Sequence, residues 1–188
     1  KKGDRVAAYV PNKIETIISF LACAKNGIIW SSCSPDFGVQ GVVDRFKQIE
    51  PKVLITSDYY FYNGKKINIL DKVDEVIKQI PSIEKVIVYS YYKKEKENLK
   101  NFIDFEETLN IVSDETFERF EFNHPIYILF SSGTTGKPKC ITHGTGNVLI
   151  EHNKEFMLHC DIRDNEKLFY YTTTGWMMWN WLVGGLAT

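Results

Sequence analysis

Nine consecutive residues, Ser131, Ser132, Gly133, Thr134, Thr135, Gly136, Lys137, Pro138 and Lys139, bring together the groups that grip a polyphosphate. The glycines let the main chain bend so that several N–H groups converge on one anion, with no Cβ in the way. The hydroxyls of Ser131, Ser132, Thr134 and Thr135 add donors, and Lys137 and Lys139 supply positive charge against β- and γ-phosphates. The run follows apolar residues 126–130, which read as a buried strand. Two better-known phosphate motifs fail here. A Walker A loop needs Gly five residues before its Gly-Lys pair and Ser or Thr after the lysine, and those places hold Ser131 and Pro138. The dinucleotide pattern GxGxxG fails at residues 144–149, where Leu149 stands in place of the third glycine. A polar hairpin turn is the plainer alternative. It would suffice for an isolated Gly-Thr-Thr-Gly, but not for nine such residues with two lysines behind an apolar strand.

Other chemistry is poorly supported. Cys23, Cys33, Cys140 and Cys160 form no CxxC pair and stand at no zinc-ligand spacing with a histidine. They read as thiols of a reducing compartment, with the cytosol expected. His124, His143, His152 and His159 show no HExxH spacing, so no metal site is expected from them. Lys and Arg total 23 against 24 Asp and Glu, a net charge of −1, which gives no electrostatic reason to expect nucleic acid or an anionic membrane as partner. No apolar run reaches the roughly 20 residues that a membrane span needs, and no basic-then-apolar leader opens the chain. The start at Lys1-Lys2-Gly3-Asp4 and the apolar finish over residues 184–188 read as a piece of a longer polypeptide.

The elements that must position the nine residues are read from periodicity. Residues 5–10 suit a buried strand, and Ile14, Ile17, Ile18, Leu21 and Ala22 then recur at helical spacing until Gly27. A strand over 28–32, a helix marked by Val39, Val42, Val43, Phe46 and Ile49, and a strand over 53–56 follow. Val73, Val76, Ile77 and Ile80 mark another helix, with a strand over 86–89 behind it. This alternation predicts an α/β fold of mostly parallel sheet with helices on both faces. Charged residues 91–100 read as a solvated loop, and 102–122 as helix and connector. Further expectations are a strand over 139–143, a helix from Gly146 to about Leu158, a strand over 168–171 and an aromatic-rich helix over 176–186. No internal repeat is present.

Residues 128–139 as a whole resemble the signature of the adenylate-forming, AMP-binding superfamily. The resemblance extends over nearly the whole chain. Gly3-Asp4-Arg5-Val6 with the helix to Gly27 resembles the opening of the short-chain acyl-CoA synthetase branch. Residues 30–38 (Trp-Ser-Ser-Cys-Ser-Pro-Asp-Phe-Gly), Asp44-Arg45-Phe46, residues 48–54 and residues 173–181 narrow the resemblance within that branch to ligases that activate acetoacetate. It implies an incomplete N-terminal AMP-binding domain over 1–188, with the C-terminal domain and its catalytic lysine outside the chain, so that the fragment alone is expected to be inactive. The Thr-Glu motif serving adenine and Mg²⁺, the ribose-binding aspartate and the hinge are also absent from the sequence.

The implied reaction is ATP-dependent ligation of acetoacetate to coenzyme A. The carboxylate attacks the α-phosphorus of ATP, pyrophosphate leaves, and the thiol then displaces AMP from the acyl-adenylate. Acetate, propionate or butyrate are alternative acids, and a non-catalytic nucleotide-binding scaffold is the rival of a different class. ATP, Mg²⁺ and coenzyme A are the implied cofactor and co-substrates, and the remainder of the chain is the implied partner. Gly175, Trp176, Met177, Met178 and Trp179 resemble the segment that shapes the acyl pocket in related enzymes. A buried helical stripe of Trp176, Trp179 and Leu182 would leave the same pattern. Asp36 and Phe37 fall where the pantetheine channel of the family begins. Tyr62, Gly64 and Lys65 fall on its coenzyme A phosphate contact. There Lys65 matches one family arginine, Tyr62 replaces the other, and a solvated lysine pair is the alternative.

Overall fold

The computed structural model of the chain describes residues 1–91, 102–111, 116–131 and 136–187. Seven strands form one sheet: β1 (Arg5–Tyr9), β2 (Ile29–Cys33), β3 (Val53–Ser57), β6 (Lys85–Tyr89), β7 (Phe102–Asp104), β8 (Pro125–Ser131) and β9 (Lys139–Gly144). Their order is β7-β6-β3-β1-β2-β8-β9, all neighbours parallel except β8 and β9. From β1 the chain steps to β2, crosses back over β1 to β3, and continues outward to β6 and β7. That is doubly wound order, and it puts helices on opposite faces.

Helices α2 (Val39–Ile49) and α3 (Leu70–Gln79) cover one face, where Val42, Phe46, Val73 and Val76 pack on Ala7, Tyr9, Leu54 and Val88. Helix α1 (Ile14–Lys25), α5 (Thr145–Lys154) and α6 (Met177–Gly184) cover the other, through Phe20, Cys23, Val148, Trp179 and Val183 against Ala8, Trp30, Ile55 and Tyr127. Trp179 lies 6.5 Å from Trp30 in a stacked arrangement and edge-on to Phe20 at 5.9 Å. The expected α/β architecture with helices on both faces is what the structure shows.

Three expectations change. In α1 the residues turned inward are Thr16, Ser19, Phe20 and Cys23, while Ile14, Ile18 and Leu21 face out. Small hydroxyl residues let this helix lie close on the sheet, because they bond locally: Thr16 Oγ1 donates to Pro11 O, and Ser19 Oγ donates to Glu15 O. Residues 168–171 form no strand, and Phe169 and Tyr171 are largely exposed. Strand-like composition yields a strand only where a neighbour offers main-chain partners. In α6 the buried residues are Trp179, Asn180 and Val183, so Trp176 is not part of a core stripe.

Two features had no forecast. A hairpin of β4 (Tyr59–Tyr62) and β5 (Lys65–Asn68) stands apart from the main sheet, its two-residue turn formed by Asn63 and Gly64, both at positive φ. The other is β7, at the start of the segment read as helix and connector; the helix expected there is the short α4 (Phe105–Leu109), capped by the Asp104 carboxylate, which accepts from Glu106 N. The helix expected from Gly146 is α5, which ends in a π-helical turn over Glu155–His159. The aromatic-rich helix is α6, followed by a 3₁₀ turn over Gly185–Ala187.

Candidate functional site

The loops beyond the carboxyl ends of β2, β3 and β8 all leave the same edge of the parallel sheet, which is where ligands bind in doubly wound folds. β8 is tied to β2 by a single register pair, Trp30 with Tyr127, and by the Ser31 hydroxyl, which donates to Ile128 O at 2.8 Å. This anchorage fixes the strand that delivers Ser131. β9 returns antiparallel, with Phe130 opposite Cys140 and Ser131 opposite Lys139. Ser131 and Lys139 therefore close a β-hairpin at the edge of the main sheet, a setting that both the phosphate-binding reading and the plainer hairpin-turn reading fit. Ser132, Gly133, Thr134 and Thr135 lie outside the described residues.

Of the rest, Gly136 has φ +112°, a conformation that L side chains rarely adopt, and nothing stands within 4 Å of a Cβ built there. Its glycine is thus a requirement of the backbone rather than of space. Lys137 faces a polar cleft of about 320 Å³ over α2, shared with Asp44, Lys47 and Gln48. Lys139 is exposed at the start of β9.

A second loop, residues 34–38, follows β2 and leads into α2. The Tyr9 hydroxyl at the end of β1 lies 2.6 Å from Phe37 O and 3.0 Å from Pro35 O, so it holds this turn from beneath. Burial, with lesser contributions from Tyr60, Cys33 and Asp36, keeps the Tyr9 phenol far above its ordinary range, so it stays a neutral donor. Asp36 is exposed and Phe37 half-buried. Neighbouring Cys33 is fully buried, and burial pushes its thiol up to about 12, which leaves no thiolate for nucleophilic chemistry.

The third loop carries Gly175 and comes from far along the chain. Thr174, wholly buried, donates through Oγ1 to Val10 O at 2.6 Å, and its own carbonyl accepts from Ser32 Oγ at 2.6 Å. The loop is thereby pinned across the ends of β1 and β2, and Gly175 meets Ser34 and Phe37. Thr174 and Ser32 were not singled out from the sequence, since a lone hydroxyl gives no periodic signal. Of the residues expected around an acyl pocket, Trp176 is 62% and Met177 51% exposed, and Met178 is half-buried. Trp179 belongs to the core, with Nε1 donating to Asn12 Oδ1 at 2.9 Å.

The β4–β5 hairpin stands beside the second loop. Tyr60 packs in the same apolar cluster as Phe37, and its phenol is raised by burial first, then by the charge of Asp36. Asp36, Phe37 and Tyr60 therefore share one side of the site. Tyr62 is paired with Lys65 across the hairpin, and both are exposed. Asp58, fully buried at the end of β3, supports the hairpin base by accepting from Tyr59 N, Tyr91 N and Ser90 Oγ. Sequence reasoning passed over it, because its role appears only once β3 and β6 are side by side.

Among the described residues no group of three or more His, Cys, Asp or Glu is placed to hold a metal ion. No described helix is long and apolar enough to cross a membrane.

Comparison with known proteins places these observations. The AMP-binding enzyme family matches residues 1–186. An acetoacetyl-coenzyme A synthetase of Rhizobium meliloti is 51% identical over 98% of the chain and 29% of its own length. A malonamoyl-CoA synthetase of Penicillium aethiopicum is 43% identical over 99% of the chain and 27% of its own length. The solved acetoacetyl-CoA synthetase of Streptomyces lividans superposes with a TM-score of 0.94 at 42% identity, covering 99% of the chain and 28% of that structure. The chain thus spans less than a third of the length of the relatives it matches.

Proposed function

Because this chain belongs to the AMP-binding enzyme family, matched over residues 1–186, we propose that it is part of a larger N-terminal nucleotide-binding domain whose whole protein joins acetoacetate to coenzyme A through an acyl-adenylate. The observation that carries this reading is the hairpin connection 131–139 at the carboxyl edge of the sheet, flanked by the loops carrying Asp36 and Gly175. Its backbone amides, hydroxyls and Lys137 and Lys139 would hold the triphosphate.

The physical difficulty of adenylation is bringing a carboxylate up to a polyanion. Lysines and converging N–H groups offset that repulsion and stabilise charge on departing pyrophosphate. Mg²⁺ supplies further neutralisation when it arrives with the nucleotide, and its protein ligands would lie outside the described residues. Gly175, Trp176, Met177 and Met178 would line the place of the acyl group. The side of Asp36, Phe37 and the hairpin residues Tyr62, Gly64 and Lys65 would receive coenzyme A. Four free cysteines are consistent with a reducing compartment, so we place the protein in the cytoplasm.

Acetoacetate is favoured by the names of the relatives. The acyl groups in those names, acetoacetyl and malonamoyl, both carry a second carbonyl beyond the activated one. The test is AMP release by the complete gene product with acetoacetate, malonamate, butyrate, propionate and acetate. Preference for acetoacetate supports the reading; turnover of butyrate at the same kcat/KM would refute recognition of the second carbonyl.

A further inference from the structure

Helix α2 touches both stems of the phosphate loop. Arg45 projects toward the entry stem: its guanidinium carbon lies 6.0 Å from the ring centroid of Phe130, the residue just before Ser131. The same guanidinium lies 4.7 Å from the ring centroid of Phe37, and Nη1 donates to Gly41 O at 2.7 Å. The guanidinium thus engages two aromatic rings by cation–π contact, the nearer being Phe37. One turn further on, Gln48 reaches the exit stem. Its Nε2 donates to Pro138 O at 2.9 Å and to Asp44 O at 2.6 Å, while Cys140 Sγ approaches its Oε1 at 3.6 Å. Residues at i and i+3 share one helical face, so a single rigid element grips the loop where it starts and where it ends.

We propose that Arg45 and Gln48 are positioning residues for ATP: through them α2 sets the angle at which the phosphate loop stands on the sheet. Both side chains act through the stems of the loop, Phe130 and Pro138, to which their contacts run. The Phe37 contact gives the same helix a hold on the loop carrying Asp36, so the phosphate side and the thiol side of the site share one strut. The proposal rests on the ligase reading and extends it to two residues outside the loop.

The experiment uses the complete protein with Arg45→Lys, Arg45→Met, Gln48→Ala and Gln48→Glu. Acid-dependent ATP–pyrophosphate exchange is measured together with amide hydrogen exchange. Lysine keeps the charge but not the flat face, and glutamate keeps the length but not the donors. All four variants should raise KM for ATP by roughly ten- to a hundredfold, the scale that misplacing a binding group produces. KM for the acid should stay as in wild type in the Gln48 variants, which leave the Phe37 contact intact. Amide exchange over residues 136–142 should accelerate while that of α3 stays unchanged. Full rescue by Arg45→Lys would overturn the role of the broad guanidinium in meeting both rings, and full rescue by Gln48→Glu the hydrogen-bonding role. Acceleration throughout the chain, with both KM values rising together, would overturn positioning in favour of general packing. A wild-type protein that exchanges no pyrophosphate with any short acid would sink the ligase reading instead. Local amide exchange in the variants would then decide whether α2 braces the loop.

Discussion

Gly175 lies against the ring of Phe37 so closely that a Cβ on it would stand 3.4 Å from Cζ of that ring and 3.2 Å from Ser34 N. Two loops separated by some 140 residues of sequence thus meet without a side chain between them. Ser34 N belongs to a turn held by Tyr9, so the main chain there has little room to give.

Gly175→Ala should therefore push the two loops apart by a few tenths of an ångström. Both the acid and coenzyme A are proposed to bind along this seam. We expect KM for each to rise about tenfold, by displacement of binding groups, while KM for ATP in pyrophosphate exchange stays as in wild type. A variant with all three KM values unaltered would show that the seam plays no part in substrate binding.

Met177 is half exposed and Met178 partly buried at the start of α6, just beyond Gly175. Neither is enclosed within the core of this chain as Trp179 is. Replacing both with Ala should enlarge the place of the acyl group, and each buried methylene gained by a longer acid contributes about 0.8 kcal/mol. The ratio of kcat/KM for hexanoate over butyrate should rise severalfold. An unaltered ratio would place the acyl group elsewhere.

Lys137→Ala should slow adenylate formation by roughly a hundred- to a thousandfold, the range for losing one preorganised group that meets developing negative charge. Thiolysis of acyl-adenylate supplied ready-made should proceed at the wild-type rate, because pyrophosphate has already left. Wild-type exchange in this variant would contradict the assignment of the loop. Thr135→Ala is the companion test within the same run of residues.

The sequence made the architecture legible because α2 and α3 are strongly two-sided and alternate with apolar strands. Val42, Val43, Phe46 and Ile49 in α2, and Val73, Val76 and Ile80 beside α3, are buried as their spacing predicts. α1 defeated the same reasoning, since its inner face includes Thr16 and Ser19, polar residues that break the apolar periodicity and are buried because their hydroxyls bond to Pro11 O, Glu15 O and Tyr89. The phosphate loop was legible because glycines, hydroxyls and lysines are consecutive in the chain. The supports around it were not: Tyr9, Ser32, Thr174 and Gln48 are single polar residues whose partners lie tens of positions away. The hairpin of β4 and β5 escaped notice because its tyrosines and lysines do not alternate in hydrophobicity as a half-buried strand does.

A last prediction concerns acid stability. His152 is buried under α6, edge-on to Phe156, and a Cβ on Gly184 would fall 2.1 Å from its Nδ1. Burial lowers its pKa below 6.5; Glu151 opposes the shift, and His143, itself lowered by burial, adds to it. The unfolded chain therefore binds a proton at a higher pH than the folded one. Stability from this group is complete above pH 6.5 and is lost as pH falls from there toward the depressed folded value. The slope for one histidine is at most about 1.4 kcal/mol per pH unit. Thermal unfolding of the complete protein between about pH 7.5 and 5.5 should show the midpoint falling. His152→Gln should flatten the fall in part, leaving the share that belongs to His143. Equal slopes for wild type and variant would mean that His152 accepts its proton as readily folded as unfolded, contrary to its enclosed position.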